Sequence, residues 1–198
     1  ALTRPAAVVL THGHFDHVGG LPAVLAAWPD VPVFAHPLEL PYLTGRSKYP
    51  PPDPWVGGLM ALMSPLYARG DDYRGRVRPL PESGAVPAMA GWRWVPTPGH
   101  SPGHVSLFRD ADRVLLAGDA VVTTPQEYAV TALFKPPVVR RPPAYFTPDW
   151  DAAGRSVRAL AALRPEMLAT GHGVPMRGDP MRRQLNQLAA HFAAAAVP

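Results

Sequence analysis

Three imidazoles and one carboxylate fall within six residues, His12-Gly13-His14-Phe15-Asp16-His17, straight after the apolar run Ala6-Ala7-Val8-Val9-Leu10. A chain with this stretch must bring a buried strand to an edge and then crowd four metal-type donors into the turn beyond it. With 8 His and 11 Asp in 198 residues, H-x-H-x-D-H arises by chance roughly 7 × 10⁻⁴ times per chain. A merely solvated polar turn is therefore the poorer reading. Three later stretches carry ligand-type residues in similar settings: Thr97-Pro98-Gly99-His100-Ser101-Pro102-Gly103-His104, Leu115-Leu116-Ala117-Gly118-Asp119 and Ala169-Thr170-Gly171-His172-Gly173. Their glycines allow the close backbone approach that a loop crowded round a metal needs. Singly, each reads as a turn histidine or a helix-capping aspartate. Together they point to a metal centre assembled from four loops.

There are no cysteines, so any metal must be held by nitrogen and oxygen, which suits zinc, manganese or iron. A length of 198 residues, 47% hydrophobic and 17% charged, fits one globular domain with a real core. No apolar run approaches the length that crosses a bilayer. The first residues lack the basic-then-apolar layout of a signal peptide, so a cytoplasmic location without membrane attachment is the default expectation. The net charge of +4 rests on scattered arginines. Their tightest groups, Arg74/Arg76/Arg78, Arg140/Arg141 and Arg182/Arg183, are not interleaved with aromatic residues. A nucleic-acid partner is not expected from that pattern.

Along the chain, strand-like runs at 8–11, 31–35, 92–95, 104–108, 114–117 and 167–170 alternate with helical patterns, an α/β arrangement. Leu21, Val24, Leu25 and Trp28 share one helical face, stopped by Pro29. A longer helix is expected over about 148–163, with Thr147 as N-cap and Pro148 in its first position. The last helix is expected to start with Asp179 as cap and to bury Met181, Leu185, Leu188 and Phe192 along one stripe. Residues 37–78, between the first helix and the strand at 92–95, read as a Pro-rich insertion or lid rather than a second domain, in which Leu59, Met60, Leu62, Met63 and Leu66 are read as core packing ahead of a substrate channel. His36 follows a strand and could lie near the centre, whereas His191 reads as a solvated helix residue. The loop 121–146 carries Tyr128, Phe134, Lys135, Arg140, Arg141, Tyr145 and Phe146, either a pocket wall or surface packing.

The ordered set His12, His14, Asp16, His17, then His100, Asp119 and His172, resembles the metallo-β-lactamase superfamily over essentially the whole chain. That resemblance implies a single domain over 1–198 with a four-layer αββα sandwich and two metals at one edge. It implies that His12, His14 and His100 hold the first metal, that Asp16, His17 and His172 hold the second, and that Asp119 bridges them. An aspartate at the bridging position places the chain nearer the glyoxalase II and lactonase branch than the cysteine-ligand β-lactamases. His104, four residues after His100, is expected to make a supporting hydrogen bond rather than to ligate. Family members also carry several strands and a D-T-G turn before the first motif. Only eleven residues precede His12 here, so the N-terminal strands of one sheet are expected to be missing.

The chemistry this implies is hydrolysis with two Zn²⁺ ions, or Mn or Fe in their place. A water held between two such metals ionises near neutral pH, and Asp16 and Asp119 are the candidate catalytic carboxylates. Four metal charges against two carboxylates leave a positive site, which favours a small anionic substrate. An ester, thioester or lactone is the expected class. The lactonase branch has a tyrosine three residues after the bridging aspartate, where this chain has Val122, and no glutathione-binding pattern stands out. Three other readings remain open: a mononuclear iron, persulfide dioxygenase-like oxidoreductase, a nuclease or phosphodiesterase of the same superfamily, and a non-catalytic fragment. The oligomeric state is not legible.

Overall fold

The computed structural model describes residues 3–67, 72–124 and 137–193. Tyr128, Phe134 and Lys135 of the loop considered above lie outside that set. Two β-sheets carry the architecture. The first holds β1 (Val8–Val9), β2 (Val33–Ala35) and β3 (Val77–Pro79), all parallel, in the order β1-β2-β3. The second holds β4 (Trp92–Pro96), β5 (Val105–Arg109), β6 (Val114–Leu116), β7 (Met167–Ala169) and β8 (Met176–Arg177), in sequence order. Its pairs are antiparallel except β6 with β7.

Side chains alternate between the two faces of a strand, and that alternation sorts the core into layers. Val33 and Ala35 pack with Leu10, Val18, Leu21 and Leu43, beneath the helices α1 (Phe15–Val18), α2 (Leu21–Ala27) and α3 (Leu40–Leu43). Phe34 and Val9 point the other way, into a cluster with Val105, Leu107, Trp94 and Leu116 of the second sheet. On the far face of that sheet, Phe108, Leu115 and Leu168 meet Val157 and Leu160 of α5 (Trp150–Ala162) and Met181 and Leu185 of α6 (Gly178–Ala190). Helices, sheet, sheet, helices: this is the αββα sandwich.

Several local expectations are corrected. The cap of α5 is Asp149, whose carboxylate accepts from the Ala152 N–H at 2.8 Å. Thr147 is engaged elsewhere, as described below. Helix α6 begins at Gly178 with no side-chain cap, and Asp179 sits in its first turn, paired with Arg182. Its apolar stripe does pack as expected, with Met181, Leu185 and Phe192 buried and Leu188 partly so. The stretch 37–78 is partly scaffold, since Leu43 and Tyr73 enter the core and Val77 opens β3. Within it, helix α4 (Leu59–Met63) buries Ala61, while Leu59, Leu62 and Leu66 are 63%, 58% and 79% exposed. Those leucines, and Met63 at 42% exposed, are not core residues. The turn cannot bury both its small and its large face, and the small face is the one seated. Among the described residues no helix is long and apolar enough to cross a membrane.

The layering predicts unequal costs for two like substitutions. Leu168→Ala removes a fully buried side chain from an interior strand of the second sheet and should cost about 2–5 kcal/mol in urea denaturation. Leu62→Ala, on the exposed face of α4, should change stability by less than about 0.5 kcal/mol.

Candidate metal centre

The loops after β1, β4, β6 and β7 meet at one edge of the sandwich. The Val105 N–H donates to the Thr11 carbonyl at 2.9 Å, and the Gly171 N–H to the Gly118 carbonyl at 2.8 Å, tying the loops in pairs. Gly171 admits this closeness because a Cβ there would collide with the Asp119 carboxylate and the His17 ring.

Two groups of donors that share no residue result, and His12, His17 and Asp119 form a third that overlaps both. In the first, His12, His14 and His100 are all buried, and His14 Nδ1 lies 2.9 Å from His100 Nε2. In the second, Asp16 Oδ2 lies 3.1 Å from His172 Nε2 and 3.7 Å from His17 Nε2, and the two imidazole nitrogens are 3.4 Å apart. Asp119 Oδ2 sits between the groups. It is 3.5 Å from His100 Nε2 in one, and 3.4 and 3.2 Å from His17 and His172 in the other. All seven residues expected from sequence are thus brought together. His36 is not among them: its Nδ1 accepts from the Leu38 N–H and its ring faces Trp94. His191 is exposed at the end of α6.

The arrangement suits cations. Two ligands about 2.05 Å from a tetrahedral metal stand about 3.3 Å apart, and the separations above bracket that value. Two buried polar atoms, His12 Nε2 and Asp119 Oδ1, have no hydrogen-bond partner among the described residues, a costly state unless something else meets them. Burial also holds the first group as neutral lone-pair donors. It pushes the His12 and His100 pKa values well below the ordinary one, aided by neighbouring imidazoles, and brings His14 to about 4. The carboxylates behave oppositely. Burial alone would raise Asp119 and Asp16. Hydrogen bonds from His17 and His172 overcome it at Asp119, and at Asp16 the His172 bond and the nearby imidazoles do the same, holding both carboxyls below their usual range. The same contacts outweigh burial at His172 and raise it to about 10.

Two buried networks hold the donors in place. His104 Nε2 accepts the Asp119 N–H at 2.9 Å, so its proton is on Nδ1 and goes to Thr97 Oγ1 at 2.8 Å. Thr97 then donates to Ser106 Oγ, which donates to the Ala117 carbonyl, each at 3.0 Å. His104 is therefore a brace for the Asp119 backbone, the supporting role expected of it. Thr147 does the equivalent for His100. Its hydroxyl donates to the Pro143 carbonyl at 2.7 Å, so it accepts His100 Nδ1–H at 3.3 Å and leaves Nε2 as the open lone pair.

The second network turns on Glu39, which the sequence reading missed. Its Oε1 accepts from Ser101 Oγ and the Gly103 N–H, both at 2.7 Å, and its Oε2 accepts from the Gly13 N–H at 2.9 Å and from the Tyr49 hydroxyl. One fully buried carboxylate thus fills its four acceptor positions and clamps the His12–His14 loop to the His100 loop. Burial and the adjacent Glu39 charge push the Tyr49 phenol well above its ordinary pKa, so it remains a donor. A lone glutamate inside the apolar run Pro37-Leu38-Glu39-Leu40-Pro41 was the available signal.

The profile of the metallo-beta-lactamase superfamily matches residues 1–172. The chain belongs to that family. Among curated relatives, the probable metallo-hydrolase YflN of Bacillus subtilis (strain 168) is 51% identical over 185 residues, covering 92% of this chain and 70% of the relative. The probable metallo-hydrolase YybB of the same strain is 32% identical over 173 residues, covering 87% of this chain and 66% of the relative. Of solved structures, TTHA1623 in a di-iron-bound form is 29% identical with a TM-score of 0.58, over 93% of this chain and 75% of that one. BLEG-1 B3 metallo-beta-lactamase, 24% identical, shares the fold with a TM-score of 0.62, over 95% of this chain and 76% of that one.

The clamp has a measurable consequence. Glu39→Ala strands three or more buried donors and should destabilise the protein by about 3–5 kcal/mol in urea denaturation. Glu39→Gln keeps one acceptor oxygen and should cost clearly less.

Proposed function

We propose that the chain is a dinuclear metallo-hydrolase that cleaves an ester, thioester or lactone. The observation that carries this reading is the shared Asp119 Oδ2, within 3.5 Å of imidazole nitrogens from both donor groups. A carboxylate oxygen in that position suits a bridge between two cations. His12, His14 and His100 would hold one metal, through Nε2, Nδ1 and Nε2 respectively. Asp16, His17 and His172 would hold the other. Two metals of this kind supply Lewis-acid polarisation of a substrate carbonyl and lower the pKa of a water towards neutrality.

The chain's own groups contribute orientation and proton handling. Asp16 is the more open of the two carboxylates, with its side chain 33% exposed against 2% for Asp119. It would accept a hydrogen bond from an attacking water and hold its proton. Asp119, braced through its backbone by His104, fixes the separation of the two groups. Tyr49 and Phe146 pack against the His14 ring with centroids 4.6 and 4.9 Å away, shielding that side from bulk water.

Zinc is the metal we expect, with iron the alternative, because TTHA1623 was crystallised in a di-iron form. A mononuclear iron dioxygenase reading would leave Asp16, His17 and His172 gathered without a purpose, and is the weaker for it. Elemental analysis of the purified chain should find about two metals per polypeptide. An ester, thioester, lactone and phosphodiester panel should show turnover in one or more of the first three classes. Asp119→Ala should lower metal content and reduce kcat/KM by about 10³-fold or more. Full metal content together with full turnover in that variant would remove the bridging assignment.

A further inference from the structure

A cavity of about 240 Å³ opens beside His14 and His100. It touches the first donor group only, since neither Asp16, His17 nor His172 lines it. A substrate whose carbonyl sat at the centre would therefore project one substituent into this space. The walls are Tyr49, Val56, Tyr145, Phe146 and Trp150, with Pro50, Pro51, Pro102 and Pro148 between them. Asp53 is the one charged side chain among the lining residues outside the donor group, and it is a carboxylate. An anionic substituent would meet a largely apolar lining and a like charge there.

The wall is built rather than collapsed. Prolines restrict the backbone at four lining positions, and the Asp53 N–H donates to the Tyr145 carbonyl at 2.9 Å, tying together two of the lining segments. An apolar cavity of about 150 Å³ accommodates a benzene ring. One of 240 Å³ has room for a ring with a short spacer or a chain of about six carbons.

Resting on the hydrolase reading above, we propose that the substrate carries an uncharged hydrocarbon acyl group, of about hexanoyl or phenylacetyl bulk, seated in this cavity. The sequence had suggested an anionic substrate, from the positive charge of two metals. That charge is met instead by the oxyanion that develops at the carbonyl as attack proceeds, and the ground-state acyl group can be neutral. The apolar walls then supply binding through buried hydrocarbon area.

The test compares N-acetylcysteamine thioesters, whose neutral leaving group is the same throughout: acetyl, hexanoyl, phenylacetyl and glutaryl. With metal-loaded protein, hexanoyl and phenylacetyl should exceed acetyl and glutaryl in kcat/KM by at least about tenfold. Val56→Trp, which fills the cavity, should reduce the hexanoyl-to-acetyl ratio by a similar factor. Binding of hexanamide and acetamide, followed by calorimetry, needs no bond cleavage and separates the two readings. If hexanamide binds at least about tenfold tighter than acetamide while no thioester, ester or lactone turns over, the cavity assignment stands and the hydrolase reading falls. Glutaryl turned over as well as hexanoyl, or hexanamide bound no better than acetamide to the wild-type protein, overturns the cavity proposal whatever the variant does.

Discussion

Seven metal-type side chains pressed into one edge form an arrangement that the polypeptide alone does not satisfy. Three buried neutral imidazoles face one another across lone pairs, and His12 Nε2 and Asp119 Oδ1 have no partner among the described residues. A buried polar atom left unmet is costly. Cations answer all of these costs at once, and Asp119 Oδ2 is where the two halves of the problem touch. The rest of the fold serves to hold that oxygen in position.

How it does so follows from the two sheets. Parallel pairing of β6 with β7 brings their carboxyl ends side by side, which puts Asp119 and His172 on neighbouring loops. The bond from Val105 to Thr11 joins the second sheet to the end of β1, where the H-x-H-x-D-H run begins. Loops crowded this closely would spread unless their backbone donors were satisfied. Glu39 meets two of them, at Gly13 and Gly103, and His104 meets a third at Asp119. The candidate ligands are therefore held by buried hydrogen bonds reaching from strands and turns far away in sequence.

That distance explains which parts were legible in the sequence. The convergence of the seven metal-type donors was, because each lies in a short stretch whose composition is improbable otherwise, and β4 to β7 and both long helices were, because their apolar periodicity is local. Glu39 and Tyr49 were not. Burying a carboxylate is favourable only when its donors are known, and those donors come from residues 13, 49, 101 and 103. The choice between Thr147 and Asp149 as cap turned on a similar fact, since His100 and the Pro143 carbonyl engage Thr147. Strands β3 and β8 are two or three residues long and owe their existence to a neighbour. The exposed leucines of α4 were misassigned because a five-residue helix shows no face from spacing alone.

Anomalous X-ray scattering from crystals of the zinc-loaded chain, recorded on either side of the zinc edge, addresses the central claim most directly. Two peaks should appear, one among His12 Nε2, His14 Nδ1 and His100 Nε2, the other among Asp16, His17 and His172. The Asp119 carboxylate should lie within about 2.0–2.2 Å of both. A single peak, or two peaks with Asp119 turned away from one of them, would contradict the account.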